Sequence, residues 1–587
     1  MVYLSLPLIW LLDSLFLLCS HAQDQSPFQA TASKKTYGPD GPWNAVSVQL
    51  GHPAQDIDLY PGGTFASTIF TNGLCKGVTA KPCGSGGLFT PEDSDSIDNT
   101  SIQLQTESTG VRGYWSDSAQ GIDFSDASSI MDDLQLSPGG DTGSVVANLS
   151  IVMYSNVSIA NPDGSTYPPQ LGQMSLGAPN INQTFTRGGG EPAVNASLIP
   201  TYLGLHKVIP SASVGLHIGS AAFNLPLSLW FGGYDAARIS GPVSTHSYAD
   251  NPSNRFNLDL FDVGIGVDNG GSPFSYPKKD GLLASGNSSI TNSIPIDMNL
   301  AAPYMNLPNS TCAAIAQELP VTYNAKYGLY FWNVEDPQYT KIVTSPTFLS
   351  FTFDNEFIVK VPFQLLNLTL DAPMIPTPTQ YFPCQPPQDA TSQVYSLGRA
   401  FLQAAFIGVD WASNGQWFLA QAPGPGVGTV PHQLPITSPS IAATPDDWAS
   451  TWKSSWTPLP VTASSPEAPA ARTSSGHHLS GGADAGIAIG AVAVVAIGLA
   501  IGYFLYRRRG SQSPSLSSLL PGHKDDKSDQ RHDFAEGPPQ YATAEEPQEM
   551  DIAPIRPSEP GGGDRRSELS GVERFEMQQP SRRGTSQ

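Results

Sequence analysis

The chain has 587 residues, a formal net charge of -22, only 14% charged residues, and 56 Gly with 53 Pro. This composition favours a loop-rich β protein with linkers over a helical enzyme or a coiled coil. The negative charge makes a nucleic-acid backbone a poor partner. No zincin, serine-hydrolase or phosphate-loop motif occurs, so we expect no metal and no cofactor.

Residues 1–22 are predicted to be a secretory signal peptide. Leu4–Cys19 is largely apolar, and Ser20-His21-Ala22 offers a small-x-small cleavage site. No basic residue precedes the apolar run, and Asp13 interrupts it. A buried N-terminal helix is therefore the alternative.

Strand signals are frequent between about Lys35 and Pro423. Ala45–Leu50 alternates with a period of two, which predicts a half-buried strand. Phe351–Phe353 and Phe357–Val361 flank a three-residue turn, which predicts a hairpin. Helix signals are few, although Ser310 could cap a short helix that ends at Leu319.

Four cysteines remain once Cys19 leaves with the signal peptide: Cys75, Cys83, Cys312 and Cys384. An even number in an oxidising compartment predicts two disulfides with three possible connectivities. Pairing each cysteine with its neighbour in sequence favours Cys75–Cys83 and Cys312–Cys384.

Eight N-x-S/T sequons predict Asn-linked glycans on the lumenal side of a membrane. They lie at Asn99, Asn148, Asn156, Asn182, Asn195, Asn287, Asn309 and Asn367. Residues 424–484 are rich in Pro, Ser, Thr and Ala, which predicts an extended stalk. Trp448, Trp452 and Trp456 recur every four residues, so a short amphipathic helix could interrupt it.

A transmembrane helix is predicted over Ala485–Tyr506, whose 22 uncharged residues would span ~33 Å. Arg507–Arg509 follows at once, which keeps the C-terminal side cytosolic and predicts a single-pass type I protein. A GPI signal is the alternative, but a long polar tail follows the span. Two small-xxx-small steps could form a homodimer face, Gly486 with Gly490 and Gly498 with Gly502.

The cytosolic tail, residues 507–587, is polar and rich in Pro, which predicts disorder. It contains one P-P-x-Y motif, formed by Pro538, Pro539 and Tyr541. A WW domain reads such a motif as a polyproline II segment. A WW-domain protein is therefore a candidate partner for the tail.

Four segments of the body carry a family pattern. They are Val46–Gln55, Leu229–Asp235, Ser396–Leu402 and Phe406–Ala420. In this order they resemble the G-T-P-x-Q strand, the F-G-G-x-D step, the I-L-G-x-x-F-L segment and the closing strand pair of pepsin-like aspartic peptidases. Within this peptidase A1 family, the chain resembles in particular the membrane-anchored fungal members.

The resemblance implies a mostly β, bilobal pepsin-like acid protease fold. The N-lobe would cover about residues 35–235 and the C-lobe about 236–423, ahead of the stalk, the membrane helix and the tail. Ser175–Gly177 and Ser396–Gly398 echo each other, as two pseudo-symmetric lobes would. The two favoured disulfides lie where such bridges occur in the family.

The resemblance also implies two catalytic carboxylates, one from each lobe, that share a proton. Counting seven residues from Gln55 places Gly62 at the first position. Counting back from Leu307-Pro308 places Asn299 at the second. Neither side chain can act as a general base, so we expect a pseudoenzyme.

Other residues could rescue or imitate the catalytic pair. A two-residue insertion would bring Asp297 to the second position, with Asp58 as a displaced partner. A literal D-T-G-S occurs at Asp141–Ser144, but it follows no apolar strand and is interpreted as a surface turn. The flap region, Asn99–Arg112, contains no Tyr.

Together these features predict a type I glycoprotein of the plasma membrane. Its ectodomain would bind extended peptide or protein ligands by strand addition, without cleaving them. Two alternatives remain open. One is an active membrane-anchored aspartic endopeptidase, and the other is a cell-wall or stress sensor with a rigid glycosylated ectodomain.

Overall fold

A computed structural model provides the structure of the chain. It describes residues 25–62, 65–79, 82–98, 122–138, 144–179, 181–185, 194–247, 256–387, 394–411, 415–428, 430–437 and 440–461. All of them belong to one compact unit, Met1–Glu467. The predicted signal peptide, flap, membrane helix and tail motif lie outside the described residues. Within the described ranges no helix has the length and apolar character needed to cross a membrane.

The described part of the chain is mostly β. Its strands are β1 (Phe28–Gln29), β2 (Ala32–Tyr37), β3 (Trp43–Leu50), β4 (Gln55–Pro61), β5 (Ser67–Phe70), β6 (Ile122–Gln135), β7 (Val145–Ala160), β8 (Thr166–Tyr167), β9 (Gln173–Met174), β10 (Asn182–Phe185), β11 (Val194–Ser197), β12 (Ser213–His217), β13 (Ser228–Phe231), β14 (Gly233–Asp235), β15 (Ser240–Ser247), β16 (Asn257–Val267), β17 (Lys278–Lys279), β18 (Ile294–Met298), β19 (Met305–Asn306), β20 (Val321–Asn324), β21 (Leu329–Trp332), β22 (Thr347–Phe353), β23 (Ile358–Pro362), β24 (Leu368–Leu370), β25 (Thr379–Phe382), β26 (Tyr395–Leu397), β27 (Ala405–Asp410), β28 (Gln416–Gln421) and β29 (Gln433–Pro435).

Helices are short and connect the strands. The α-helices are α1 (Ile199–Leu205), α2 (Asn309–Ala316), α3 (Pro337–Thr344), α4 (Arg399–Leu402) and α5 (Trp448–Trp452). Short 3-10 helices cover Asn72–Cys75, Pro91–Asp93, Ala221–Phe223, Ala236–Arg238 and Asp354–Glu356.

The sheets divide the chain into an N-terminal and a C-terminal half, and one further sheet contains strands of both halves. The N-terminal half forms a ten-stranded sheet in the order β10-β11-β7-β5-β9-β4-β3-β2, with β6 on β3 and β7 and with β8 on β7. The C-terminal half forms β19-β26-β18-β16-β22-β23, with β17 on β16, and also β20-β21-β25-β24. A six-stranded sheet, β1-β13-β12-β27-β28-β15, takes strands from both halves, and β14 pairs with β29.

Local sequence patterns predict several of these elements correctly. Strand β3 buries Val46, Val48 and Leu50 and leaves Ser47 and Gln49 half-buried, as a period of two requires, although Ala45 is buried as well. The predicted hairpin is confirmed, with Phe351 opposite Val359 across β22 and β23.

The helix predicted after Ser310 is present as α2, but the prediction that Ser310 caps it was wrong. The helix already begins at Asn309, Pro308 occupies the cap position, and no side chain caps it. Ser310 lies within the helix and accepts a hydrogen bond from Asn287 Nδ2 at 3.2 Å. Pro is well suited to a helix start because its fixed φ and missing N–H cost nothing there.

The stalk was predicted to begin at residue 424, and for residues 424–461 this is wrong. Trp448, Trp452 and Trp456 are 2%, 1% and 6% exposed and belong to the main hydrophobic core. The predicted short helix is confirmed as α5. The rings of Trp448 and Trp456 meet edge to face with centroids 5.4 Å apart, and those of Trp452 and Trp456 stack at 6.0 Å.

Further contacts fix this C-terminal segment (residues 424–461) to the body. Trp452 packs edge to face on Phe223 at 5.5 Å, and Trp448 packs on Phe348 at 5.8 Å. Strand β29 pairs with β14, and Gln364 Nε2 donates to Ser455 O at 2.8 Å. The folded body therefore extends to at least residue 461, and residues 462–484 of the predicted stalk lie outside the described residues.

Both predicted disulfides are present. Cys75–Cys83 has a Cα–Cα distance of 5.9 Å, and Cys312–Cys384 has one of 5.7 Å. The second closes a loop across 72 residues, which is worth ~4 kcal/mol in the chain-entropy model.

Seven of the eight sequon asparagines are described, and all seven reach the surface. Four are exposed, namely Asn148, Asn156, Asn195 and Asn309. The other three are half-buried, namely Asn182, Asn287 and Asn367. Glycan attachment at these positions stays a prediction, and Asn99 lies outside the described residues.

Acid should destabilise the fold through His217, a fully buried residue on β12. Burial, together with the nearby charge of Arg238, lowers the pKa of His217 to about 3. The unfolded chain therefore binds a proton below about pH 6.5 that the folded chain does not, and stability falls as the pH drops from 6.5 towards 3. This residue alone should remove about 3 kcal/mol between pH 7 and pH 4.

Denaturant unfolding of the wild type and of His217→Gln at pH 7 and pH 4 measures this effect. The variant should lose about 3 kcal/mol less than the wild type over this interval. The exposed His432 provides the matched control, because His432→Gln should follow the wild type. Equal losses in wild type and His217→Gln would show that His217 is not the acid-sensitive group.

Candidate functional site

The two positions assigned by counting have equivalent backbone environments. Gly62 follows β4, which runs parallel to β9, and its N–H donates to Met174 O at 3.0 Å. Asn299 follows β18, which runs parallel to β26, and its N–H donates to Leu397 O at 3.0 Å. Each half of the chain thus presents one loop after the same pairing of parallel strands.

The loops at Gly62 and Asn299 touch each other. A Cβ added at Gly62 would lie 3.3 Å from Leu300 Cβ and 3.6 Å from Ala301 N. At this separation even a methyl group would be crowded. A longer side chain at Gly62 would therefore require the Leu300 loop to shift.

Asn299 uses its side chain to hold its own loop. Its Oδ1 accepts hydrogen bonds from Ala301 N at 3.0 Å and from Ala302 N at 3.2 Å, and the residue is 3% exposed. In this position the Asn299 side chain stabilises a local turn of the backbone. Neither Asn299 nor Gly62 brings a carboxylate to the point where the loops meet.

The fallback carboxylates have separate partners. Asp58 lies four residues before Gly62 on β4, about 13 Å along the strand. It accepts hydrogen bonds from three hydroxyls, those of Ser33, Tyr37 and Ser47. Asp297 is 7% exposed on β18 and accepts from Asn257 Nδ2 at 2.9 Å. Of the D-T-G-S sequence only Ser144 is described, and it is buried.

The backbone bonds and the internal sequence echo give different alignments of the two halves. With Gly62 set opposite Asn299, the hydrogen bonds pair Met174 with Leu397, two residues before Leu176, the echo partner of Leu397. Gln173, a polar residue, lies on β9 beside the Gly62 loop.

A buried ion pair lies directly behind the Leu300 loop. Arg399, the first residue of α4, donates from Nη1 to Ala301 O at 2.7 Å. Its Nη2 lies 3.9 Å from Asp40 Oδ2, and both side chains are less than 10% exposed. Asp40 Oδ1 accepts from Trp43 Nε1 at 2.8 Å.

Aromatic rings enclose the guanidinium of Arg399. It lies 4.4 Å from the Tyr60 ring centroid and 5.2 Å from that of Trp43, both within cation–π range. In the sequence, Arg399 belongs to the family-like segment Ser396–Leu402. A charged residue inside the otherwise apolar run Leu397–Leu402 was the available signal.

A cavity of about 60 Å³ adjoins the ion pair. Its lining includes Tyr60, Tyr167, Gln173, Tyr304 and Gln385. Burial is the largest influence on the three tyrosines and raises the pKa of each well above its usual value. They are therefore neutral hydroxyls, which can donate and accept hydrogen bonds but carry no charge.

Comparison with known proteins assigns the chain to no family. No protein-family model matches it, and no curated protein matches it. In the described ranges no group of three His, Cys, Asp or Glu side chains could hold a metal ion.

Proposed function

We propose that the protein is a single-pass type I cell-surface glycoprotein with a bilobal, pepsin-like ectodomain that binds extended peptides without cleaving them. The observation that supports this proposal most is the contact between the Gly62 loop and the Asn299 loop. The two loops have the same pattern of backbone hydrogen bonds. Peptide hydrolysis by a pepsin-like site needs two carboxylates that share one proton. This site has a glycine and an amide at those positions.

The arrangement of the halves supports the bilobal interpretation. A sheet built from both halves joins them, and each half contributes one loop to the shared contact. A cleft between such halves would accept an extended chain by strand addition. Asp58 and Asp297 have separate partners, which disfavours the active endopeptidase with that displaced pair.

Acid proteolysis by the full-length chain purified in detergent tests the proposal. Denatured haemoglobin serves as substrate between pH 2.5 and pH 6, with and without pepstatin, and an active pepsin-like enzyme serves as the positive control. We expect no cleavage above the pepstatin-inhibited background. Cleavage that pepstatin abolishes would refute the non-catalytic assignment.

The cytosolic tail should bind WW domains through Pro538, Pro539 and Tyr541. Tyr541→Ala removes the ring that such domains recognise, so binding to an isolated WW domain should fall at least about tenfold. Fluorescence titration of tail peptides measures the affinity, and Phe534→Ala in the same peptide is the matched control, which should bind like the wild-type peptide. Equal affinities of wild-type and Tyr541→Ala peptides would remove the WW-domain partner from the proposal.

A further inference from the structure

Several buried polar atoms around the cavity beside Arg399 lack partners among the described residues. Arg399 Nε and Gln385 Oε1 have no hydrogen-bond partner, and these residues are 6% and 2% exposed. Tyr60 and Tyr167 line the same cavity at 7% and 6% exposure, and no described residue forms a hydrogen bond with either hydroxyl. Buried polar groups usually have partners, so the cavity is suited to a polar guest.

The two tyrosine hydroxyls are the groups that a guest in the cavity can reach. Arg399 Nε and Gln385 Oε1 have almost no area that water could contact, so they lie within the wall and do not face the cavity. The hydroxyls of Tyr60 and Tyr167 can each donate or accept a hydrogen bond. A complementary guest therefore carries an acceptor and an N–H or O–H donor within one small group.

The size of the cavity restricts the guest further. Its volume of about 60 Å³ is well below the ~150 Å³ of an engineered cavity that holds benzene. An aromatic side chain or a sugar ring would be too large. A planar group of a few heavy atoms fits this volume.

The charges at the site favour a neutral guest. Arg399 and Asp40 have opposite charges and lie 3.9 Å apart, so together they contribute no net charge. A carboxylate guest would add a second negative charge beside Asp40 away from water, which is costly. A primary carboxamide has the same shape as a carboxylate, supplies both an acceptor and a donor, and carries no charge.

We propose that the cavity beside Arg399 is a subsite for the carboxamide side chain of Asn or Gln in a bound peptide. The carboxamide oxygen would accept from one of the two tyrosine hydroxyls, and its nitrogen would donate to the other. This inference rests on the proposed function, because it names the side chain that a peptide-binding cleft selects.

Peptide retention by the full-length protein in detergent tests the subsite. The probes are heptapeptide libraries with one fixed central residue, which is Gln, Glu, Asn, Asp or Leu, and six randomised positions. We expect the Gln or Asn library to be retained at least about tenfold better than its acidic counterpart and the Leu library at pH 7. Retention without amide preference would overturn the subsite and leave the proposed function intact. Retention of no library would overturn both.

Variants that remove only hydroxyl groups locate the preference. Tyr60→Phe with Tyr167→Phe keeps both rings, including the ring over Arg399, and should reduce the Gln-to-Glu retention ratio at least about threefold. Tyr330→Phe is the matched control, because Tyr330 on β21 does not line the cavity. A purely structural role would lower the retention of every library equally. An unchanged ratio in the double variant would overturn the assignment of this cavity.

Discussion

A chain that ends after Pro423 should not fold, whereas a chain that ends after Glu467 should be as stable as the full-length protein. The shorter chain lacks Trp448, Trp452 and Trp456, which are all at least 94% buried. Truncating one buried Trp costs about 3–5 kcal/mol. The summed cost of losing all three exceeds the lower part of the usual range of the free energy of unfolding, about 5–15 kcal/mol.

Secretion yield and denaturant unfolding of the two truncated chains measure this effect. A point-mutation series refines it, because Trp452→Ala should lower the free energy of unfolding by about 3–5 kcal/mol. The neighbouring Ser454 is exposed, and Ser454→Ala should change it by less than about 0.5 kcal/mol. A well-folded chain that ends at Pro423 would contradict this expectation and support a stalk that begins at residue 424.

Arg399→Met should lower the free energy of unfolding by about 3–5 kcal/mol. The substitution leaves the Asp40 carboxylate buried without its cation and removes the bonds that Arg399 gives to the Leu300 loop. Asp40→Asn in the same chain should recover part of the loss, because it removes the uncompensated charge. The Arg399 side chain thus stabilises both the fold and the loop at the candidate site.

A double-mutant cycle over Arg399 and Asp40 separates these contributions. Urea unfolding of the wild type, both single variants and the double variant gives the coupling free energy. We expect coupling of at least about 1 kcal/mol. An Arg399→Met variant within about 0.5 kcal/mol of the wild type would contradict a structural role for the ion pair.

Local patterns in the sequence predicted local structure well. The period-two alternation of β3, the hairpin of β22 and β23, and both disulfides follow from neighbouring residues or from spacing. The C-terminal segment shows where composition fails. Its many Pro and Ser residues predict a stalk, but three large apolar rings at four-residue intervals drive the segment onto the core, because their burial outweighs the local preference.

The candidate site shows the same division between local and long-range information. Counting along the chain placed Gly62 and Asn299, because each follows a strand with a recognisable motif. The pairing of Arg399 with Asp40 joins residues 359 positions apart, and no local pattern encodes such a contact. Gln385 and Tyr167 reach the same cavity from other strands and turns, so only the tertiary structure brings them together.

Mass spectrometry of a defined peptide mixture incubated with the full-length protein at pH 4 tests the central claim most directly. The measurement records both the peptides retained by the protein and any new peptide ends. The account predicts retained peptides of unchanged mass and no new ends beyond those in a control without the protein. New internal cleavage products that disappear with pepstatin would contradict it.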